Sequence, residues 1–192
     1  MNRVIKMLRF PVEKRKTAML IGLVGRKRSG KDTVADHLCG AYGFKKMALA
    51  TPLKEACKIM FNLTDDQVNG DSKDITDARY GVTPRGLLQI LGTDIVRNYL
   101  PTVVSGITDS FWIDRMMENF EAGYKNIVIT DVRFPNEADA IKEHGGYLIK
   151  LVRNTGYTDT HESEAYIDDI SCDVILFNNG TIEDLKHTID NL

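Results

Sequence analysis

The stretch Ile21 to Leu38 reads IGLVGRKRSGKDTVADHL, and its glycines, lysine and hydroxyls have the spacing of a loop that holds phosphate. The pattern G-x-x-x-x-G-K-[ST] is met at Gly25, Gly30 and Lys31, but the next position holds Asp32 and the threonine comes one residue late, as Thr33. Between a buried strand and a helix, such a loop turns backbone N–H groups inward around phosphate oxygens. The helix start adds a favourable dipole, and the lysine offsets charge on the transferring group. The context is right on both sides, because Met19 to Val24 is a short apolar run and helical spacing begins at Lys31. Asp32 is a hard oxygen ligand that can replace the usual hydroxyl at Mg²⁺ or hold a metal-bound water. Arg26, Lys27 and Arg28 put further charge in the loop. A hydrolysing switch or motor rarely needs that many, whereas an enzyme gathering phosphates from two substrates can use them.

A second constellation lies in TPRGLLQILGTDIVRNYL. Arg85, Gln89, Thr93 and Arg97 are each four apart, and form a polar stripe drifting slowly around a helix. Leu87, Leu88, Leu91 and Ile95 fall opposite and are expected to pack on the body. Arginine forks match phosphate oxygens in a bidentate way, and a glutamine pairs donor with acceptor at a base edge. The bland alternative is a solvated helix face. Gly92 inside the helix costs about 1 kcal/mol against alanine, which close approach by another group would offset.

The third is TDVRFPNEA, after the apolar run NIVITD. Asp131 stands where an acid would hold Mg²⁺ directly or through water, or where it would cap the next helix. Arg133 and Glu137 follow at the mouth of the same loop. RNTGYTDTHESE sits where a lid would close, with Arg153 and His161 as its candidate phosphate contacts, and NNGT at Asn178 to Thr181 lies past the last strand.

The elements that must position these residues alternate. Strands are expected over Met19–Val24, Phe44–Leu49, Asn126–Asp131, Tyr147–Val152 and Asp173–Phe177. Helices are expected from Lys31 to Tyr42, from Pro52 to Phe61, from Pro84 to about Leu100, from Asp109 to Ala122, from Pro135 to His144 and from Thr181 to Asn191. Asn62 to Gly81, rich in Asp, reads as a loop with room for one helical turn. Such alternation gives a parallel α/β sheet covered on both faces, with its ligands at the carboxyl ends of the strands.

The 192 residues suit one domain with a buried core. A net charge of −2 rules out a whole surface built for duplex nucleic acid but not a local basic pocket. Three scattered cysteines, Cys39, Cys57 and Cys172, give neither a disulfide framework nor a zinc site and point to a reducing, cytoplasmic setting. No apolar run reaches membrane-spanning length. Residues 1–18 form a basic extension, with Arg3, Lys6, Arg9, Lys14, Arg15 and Lys16 against Glu13, read as a solvated arm ahead of the domain at 19–192.

Taken in order, GRKRSGKDTVAD, TPLKEA, TPRGLLQILGTDIVR, FW, DVRFPNEA and HESE resemble the deoxynucleoside monophosphate kinases of tailed bacteriophages and related viruses. The resemblance runs from about Met19 to the C-terminus. It implies a three-layer P-loop kinase fold with a central parallel sheet, acceptor-binding helices over about 50–122 and a lid over about 153–169. It implies ATP and Mg²⁺ as cofactors, a deoxynucleoside monophosphate as partner, no membrane and no stable nucleic-acid partner, with a homodimer admitted. Host cytoplasm would be the setting of a viral enzyme. By motif, Gly25, Lys27, Ser29, Gly30, Lys31, Asp32, Thr33 and Asn178 would bind ATP, with Asp32, Thr33 and Asp131 on the metal. Leu53, Lys54, Arg85, Gln89, Gly92, Thr93, Arg97, Trp112, Arg133 and Glu137 would line the acceptor site, and Lys31, Asp131 and Arg133 would carry catalysis. Trp112 would stack on the base or serve as core. Two other readings remain at this stage: a P-loop kinase for another phosphorylated acceptor, of the dephospho-coenzyme A or phosphomevalonate type, and a nucleotide-binding accessory protein without turnover.

Overall fold

The computed structural model describes residues 18–121, 126–154 and 165–192. In chain order the elements begin with β1 (Met19–Val24), α1 (Lys31–Tyr42), β2 (Lys45–Met47), α2 (Thr51–Phe61) and α3 (Asp65–Asn69). A single 3₁₀ turn (Asp71–Asp74), α4 (Pro84–Gln89), a π-helix (Ile90–Tyr99), α5 (Leu100–Val103) and α6 (Phe111–Glu121) follow. Then come β3 (Asn126–Val132), α7 (Pro135–Glu143), β4 (Tyr147–Val152), a 3₁₀ turn (Tyr166–Asp168), β5 (Val174–Phe177) and α8 (Ile182–Asp190). The basic extension and most of the expected lid, His161 included, lie outside the described residues.

The chain divides into two units. One combines the chain up to Ala48 with Met117–Leu192 and contains the sheet. Five parallel strands run in the order β2-β3-β1-β4-β5. β1 therefore lies at the centre, which is why its run Leu20–Val24 is apolar throughout and fully buried. On one face, Val34, Ala35 and Leu38 of α1 and Leu185 and Ile189 of α8 pack on Ile149 of β4, among others. Each such side chain contributes about 1.5–3 kcal/mol when fully buried. On the other face α7 covers β1 and β4. The expected three layers and parallel sheet are present.

The second unit, Leu49–Met116, is helical. Leu53, Cys57, Leu63, Val68, Leu87 and Leu88 form its core, with Trp112 packed against them. Asn62–Gly81 is more ordered than expected. Thr64 and Gln67 form a reciprocal capping box that starts α3, a T-x-x-Q signal present in the sequence. Beyond α3, Asp77 accepts from Arg79 Nε at 2.9 Å, Arg79 Nη2 at 2.6 Å and Gln67 Nε2 at 3.0 Å, tying the rest of the segment back to it.

The helix expected from Pro84 to about Leu100 departs from α winding at Ile90. Its closing bond runs from the Leu100 N–H to the Ile95 carbonyl, the i→i+5 pattern of a π turn. A π turn holds more residues than an α turn, so the stripe read at α spacing falls behind. Leu87 and Leu88 are buried as expected, but Ile95 is 39% exposed, while Thr93 and Arg97 are buried at 6% each. The packing assigned to Ile95 is thus overturned, and the polar stripe is not a solvated face at its C-terminal end.

Candidate phosphate and acceptor sites

The phosphate loop is built by three residues with positive φ: Gly25 at 152°, Arg28 at 64° and Gly30 at 104°. A Cβ on Gly25 would come within 2.6 Å of the Leu151 carbonyl, and one on Gly30 within 2.5 Å of Asn178 Nδ2, so only glycine fits either position. Alternating hand along successive residues turns several N–H groups into one concavity. The Lys31 ammonium donates to the carbonyls of Gly25 at 2.5 Å and Arg26 at 2.8 Å, which holds it over the loop. Ser29 is 1% exposed and its hydroxyl has no protein partner among the described residues. An orphaned hydroxyl inside a glycine-built cradle at a helix start fits a phosphate ligand.

Asn178 serves this loop from behind. Its side chain, 6% exposed, donates from Nδ2 to the Ser29 carbonyl at 2.9 Å, and its N–H donates to the Val152 carbonyl. The sequence reading put Asn178 on ATP; in the structure its Nδ2 donates to the backbone of the phosphate loop. Arg26 forms a 2.7 Å ion pair with Asp168, whose carboxyl is held below its ordinary range chiefly by that hydrogen bond. Lys150 of β4 donates to the Ile167 carbonyl at 2.8 Å and fixes the same turn. Asp168 and Lys150 were not singled out in the sequence, because nothing local to them points to a loop so distant in the chain.

The two acids expected at the metal part company. Asp32, with an 81% exposed side chain, pairs at 2.8 Å with Lys46 of β2, which also meets Asp36 at 3.0 Å. Asp131 sits in a bulge: Gly22 faces Ile129 and Val24 faces Val132, so β3 spends two residues, Thr130 and Asp131, where β1 spends one. Such a bulge re-aims side chains beside functional loops, here one residue before Gly25. Among the described residues no group of three or more His, Cys, Asp or Glu converges. Glu137 is 3% exposed and accepts the N–H groups of Arg133 at 2.8 Å and Phe134 at 3.1 Å, which caps α7. Through Oε2 it holds backbone N–H groups and shapes the turn that carries Arg133.

In the helical unit, Arg85 forks onto Asp74 at 2.5 and 3.1 Å. Arg97 donates from Nη1 to the Asp109 carbonyl at 2.8 Å. Lys54 donates to Asn69 at 2.9 Å, and Gln89 is half-buried. The close approach expected at Gly92 is real but comes from Leu53, whose methyl occupies the space a Cβ would need. Trp112 donates from Nε1 to the Gly92 carbonyl at 3.0 Å and stands edge-on to Phe111, so it belongs to the packing of this unit. Leu53, Gly92 and Trp112 are thus brought together, with Thr93 and Arg97 buried on the same helix.

A parallel sheet with a phosphate loop leaving its central strand for a helix, a lysine over the loop and an acid on the next strand together define an α/β P-loop kinase. Within that class, residues 19–80 and 66–189 match the model of one family, described as deoxynucleotide monophosphate kinase, and the chain belongs to it. The chain is 45% identical over 184 residues to a deoxynucleotide monophosphate kinase homologue of Acanthamoeba polyphaga mimivirus, covering 89% of this chain and 94% of that one. It is 26% identical to the deoxynucleotide monophosphate kinase of Enterobacteria phage T4, covering 90% and 97%. Among solved structures, the shikimate kinase of Aquifex aeolicus superposes with a TM-score of 0.47 at 13% identity, covering 89% and 93%.

Proposed function

We propose that this protein transfers the γ-phosphoryl group of ATP to a deoxynucleoside 5′-monophosphate, giving ADP and a deoxynucleoside diphosphate for DNA synthesis. The observation that carries the reading is the match of one family model to nearly the whole domain, phosphate loop and acceptor helices alike. The viral relatives support the host cytoplasm as its setting. Among the described residues no helix is long and apolar enough to cross a membrane.

The chemistry asks the protein for position and charge. Backbone N–H groups from Gly25 to Thr33 hold the donor phosphates, Ser29 offers its free hydroxyl, and Lys31 draws charge toward the bridging oxygens. Thr33 and Asp131 would hold Mg²⁺, which would supply positive charge to offset that of the donor phosphates. On the acceptor side, Arg85 and Arg97 bind the monophosphate, with Arg133 offsetting repulsion between the two anions. Gln89 reads the base edge. The acceptor phosphate oxygen attacks the γ-phosphorus as the bond to the β-bridging oxygen breaks, and the displaced pair leaves on ADP.

A coupled ADP-release assay across deoxynucleoside and ribonucleoside monophosphates, dephospho-coenzyme A and phosphomevalonate tests this. ADP release with deoxynucleotides is expected. Release only with one of the last two acceptors, or none at all, overturns the reading. Lys31→Ala is the internal control. It should lower kcat by more than about tenfold, a loss above about 1.4 kcal/mol. Its unfolding midpoint should hold, since the glycines set the loop's shape.

A further inference from the structure

Gly92 and Arg97 are five residues apart in the π-helix, and both are held by the same short segment. Arg97 Nη1 donates to the Asp109 carbonyl at 2.8 Å, and the Gly92 carbonyl accepts from Trp112 Nε1 at 3.0 Å. In an α-helix, at about 100° per residue, positions five apart lie about 140° from one another. With i→i+5 bonding they stack on one face. The short segment Asp109–Trp112 thus grips two points that the π winding of Ile90–Tyr99 brings onto one face. The Leu53 side chain fills the space beside Gly92 in the same turn. π turns are rare and are frequently found at functional sites.

We propose that Trp112 is a positioning residue for the acceptor site: its indole N–H, together with the Asp109 carbonyl, keeps Ile90–Tyr99 in the π winding that turns Thr93 and Arg97 inward. This rests on the reading that this helix lines the acceptor site. The role belongs to the nitrogen and not to the ring face, so it differs from stacking on a base. Loss of the bond removes the side-chain donor that grips the Gly92 carbonyl from outside the helix and lets the helix relax toward α winding. Relaxation swings Arg97 away from its partner and away from the monophosphate.

Trp112→Phe keeps an aromatic ring and removes the donor, so it separates the two roles. The expected result is a rise of about fivefold or more in KM for every accepted deoxynucleotide by a similar factor, with the ATP KM within about twofold of wild type. Amides of residues 92–99 should exchange with solvent faster than in wild type. Unchanged deoxynucleotide KM values, or a change confined to one base, overturn the proposal. Lowered thermal stability with KM values unmoved also overturns it, because that is the signature of packing alone. If Trp112→Phe fails to fold, the wild-type protein decides the matter, since its sequence has one tryptophan and hence one indole N–H resonance. That proton should be protected from exchange, and exchange at the rate of free indole counts against the bond. Should the wild type turn over no deoxynucleotide, the functional reading fails, and indole and amide exchange still judge the winding.

Discussion

Asn178 and Ser29 stand 149 residues apart and share one hydrogen bond, Nδ2 to carbonyl oxygen, at 2.9 Å. Through it, the residue after the edge strand holds the back of the phosphate loop. Asn178→Ala leaves a buried carbonyl without its donor, a cost of about 1–3 kcal/mol. The expected outcome is a lower unfolding free energy and a raised KM for ATP, with the KM for deoxynucleotide unmoved. Denaturant titration and initial-rate kinetics check it, and an unchanged ATP KM would show that the loop keeps its shape unaided.

Magnesium dependence should follow Asp131 and not Asp32. The Asp32 carboxylate is paired with Lys46 on the solvent side of α1, whereas Asp131 is turned by a bulge next to the phosphate loop. Asp32→Asn should leave the Mg²⁺ titration of kcat within about twofold of wild type, as expected for an exposed pair worth about 0–1 kcal/mol. Asp131→Asn should shift it by about tenfold or more. The reverse ranking would return the metal to Asp32.

The polar stripe makes a prediction about substrate ranking. Arg85→Ala should raise KM for every accepted monophosphate by a similar factor of about tenfold, since a charge-assisted bond is worth about 1.5–3 kcal/mol. Gln89→Ala should change the order of bases instead. Because Arg85 also forks onto Asp74, Asp74→Asn serves as the control and should affect stability more than KM. Parallel profiles within about twofold of wild type for both variants would move the acceptor site elsewhere.

Acid sensitivity should trace in part to Asp77. The Arg79 side chain first, then the Arg79 N–H and Gln67, hold its carboxyl well below the ordinary value of 3.8. A depressed folded-state pKa adds stability that is complete above the unfolded value and is lost as pH falls below it. Unfolding free energy should therefore decline as pH drops through about 4, and Asp77→Asn should be less stable at neutral pH with a shallower acid slope. Urea titrations of both proteins between about pH 3 and pH 6 measure this.

Much of the donor half could be read from order alone. The strand, the glycines, Lys31 and the following helix are contiguous, and local spacing dictates local geometry there. The roles of Asn178, Glu137 and Trp112 could not be read in that way. Each is a polar group whose partner is a backbone atom, and a sequence does not display which carbonyl or N–H a distant side chain will meet. The winding after Gln89 was also hidden. Its residues fit an α-helix by period, and only packing around Gly92 and Arg97 distinguishes the wider turn. The loop from Asn62 to Gly81 misled for another reason: its acidic composition masked a capping box and a buried carboxylate.

The order of the strands has a consequence for how the protein comes into being on the ribosome. β1 is synthesised before both of its neighbours, since β3 and β4 begin only at Asn126 and Tyr147. Met19 already illustrates the wait, since its N–H is taken by Asn126, 107 residues on. Contacts so far apart in sequence close slowly, and their loop-closure entropy is met before any reward arrives. The nascent chain must therefore keep its most apolar strand unpaired while the whole helical unit is made, a window in which exposed β surface invites aggregation or chaperone capture. The phosphate loop gains its hold from Asn178 only after β5 has been made, so until then its glycines shape it without that support behind Ser29.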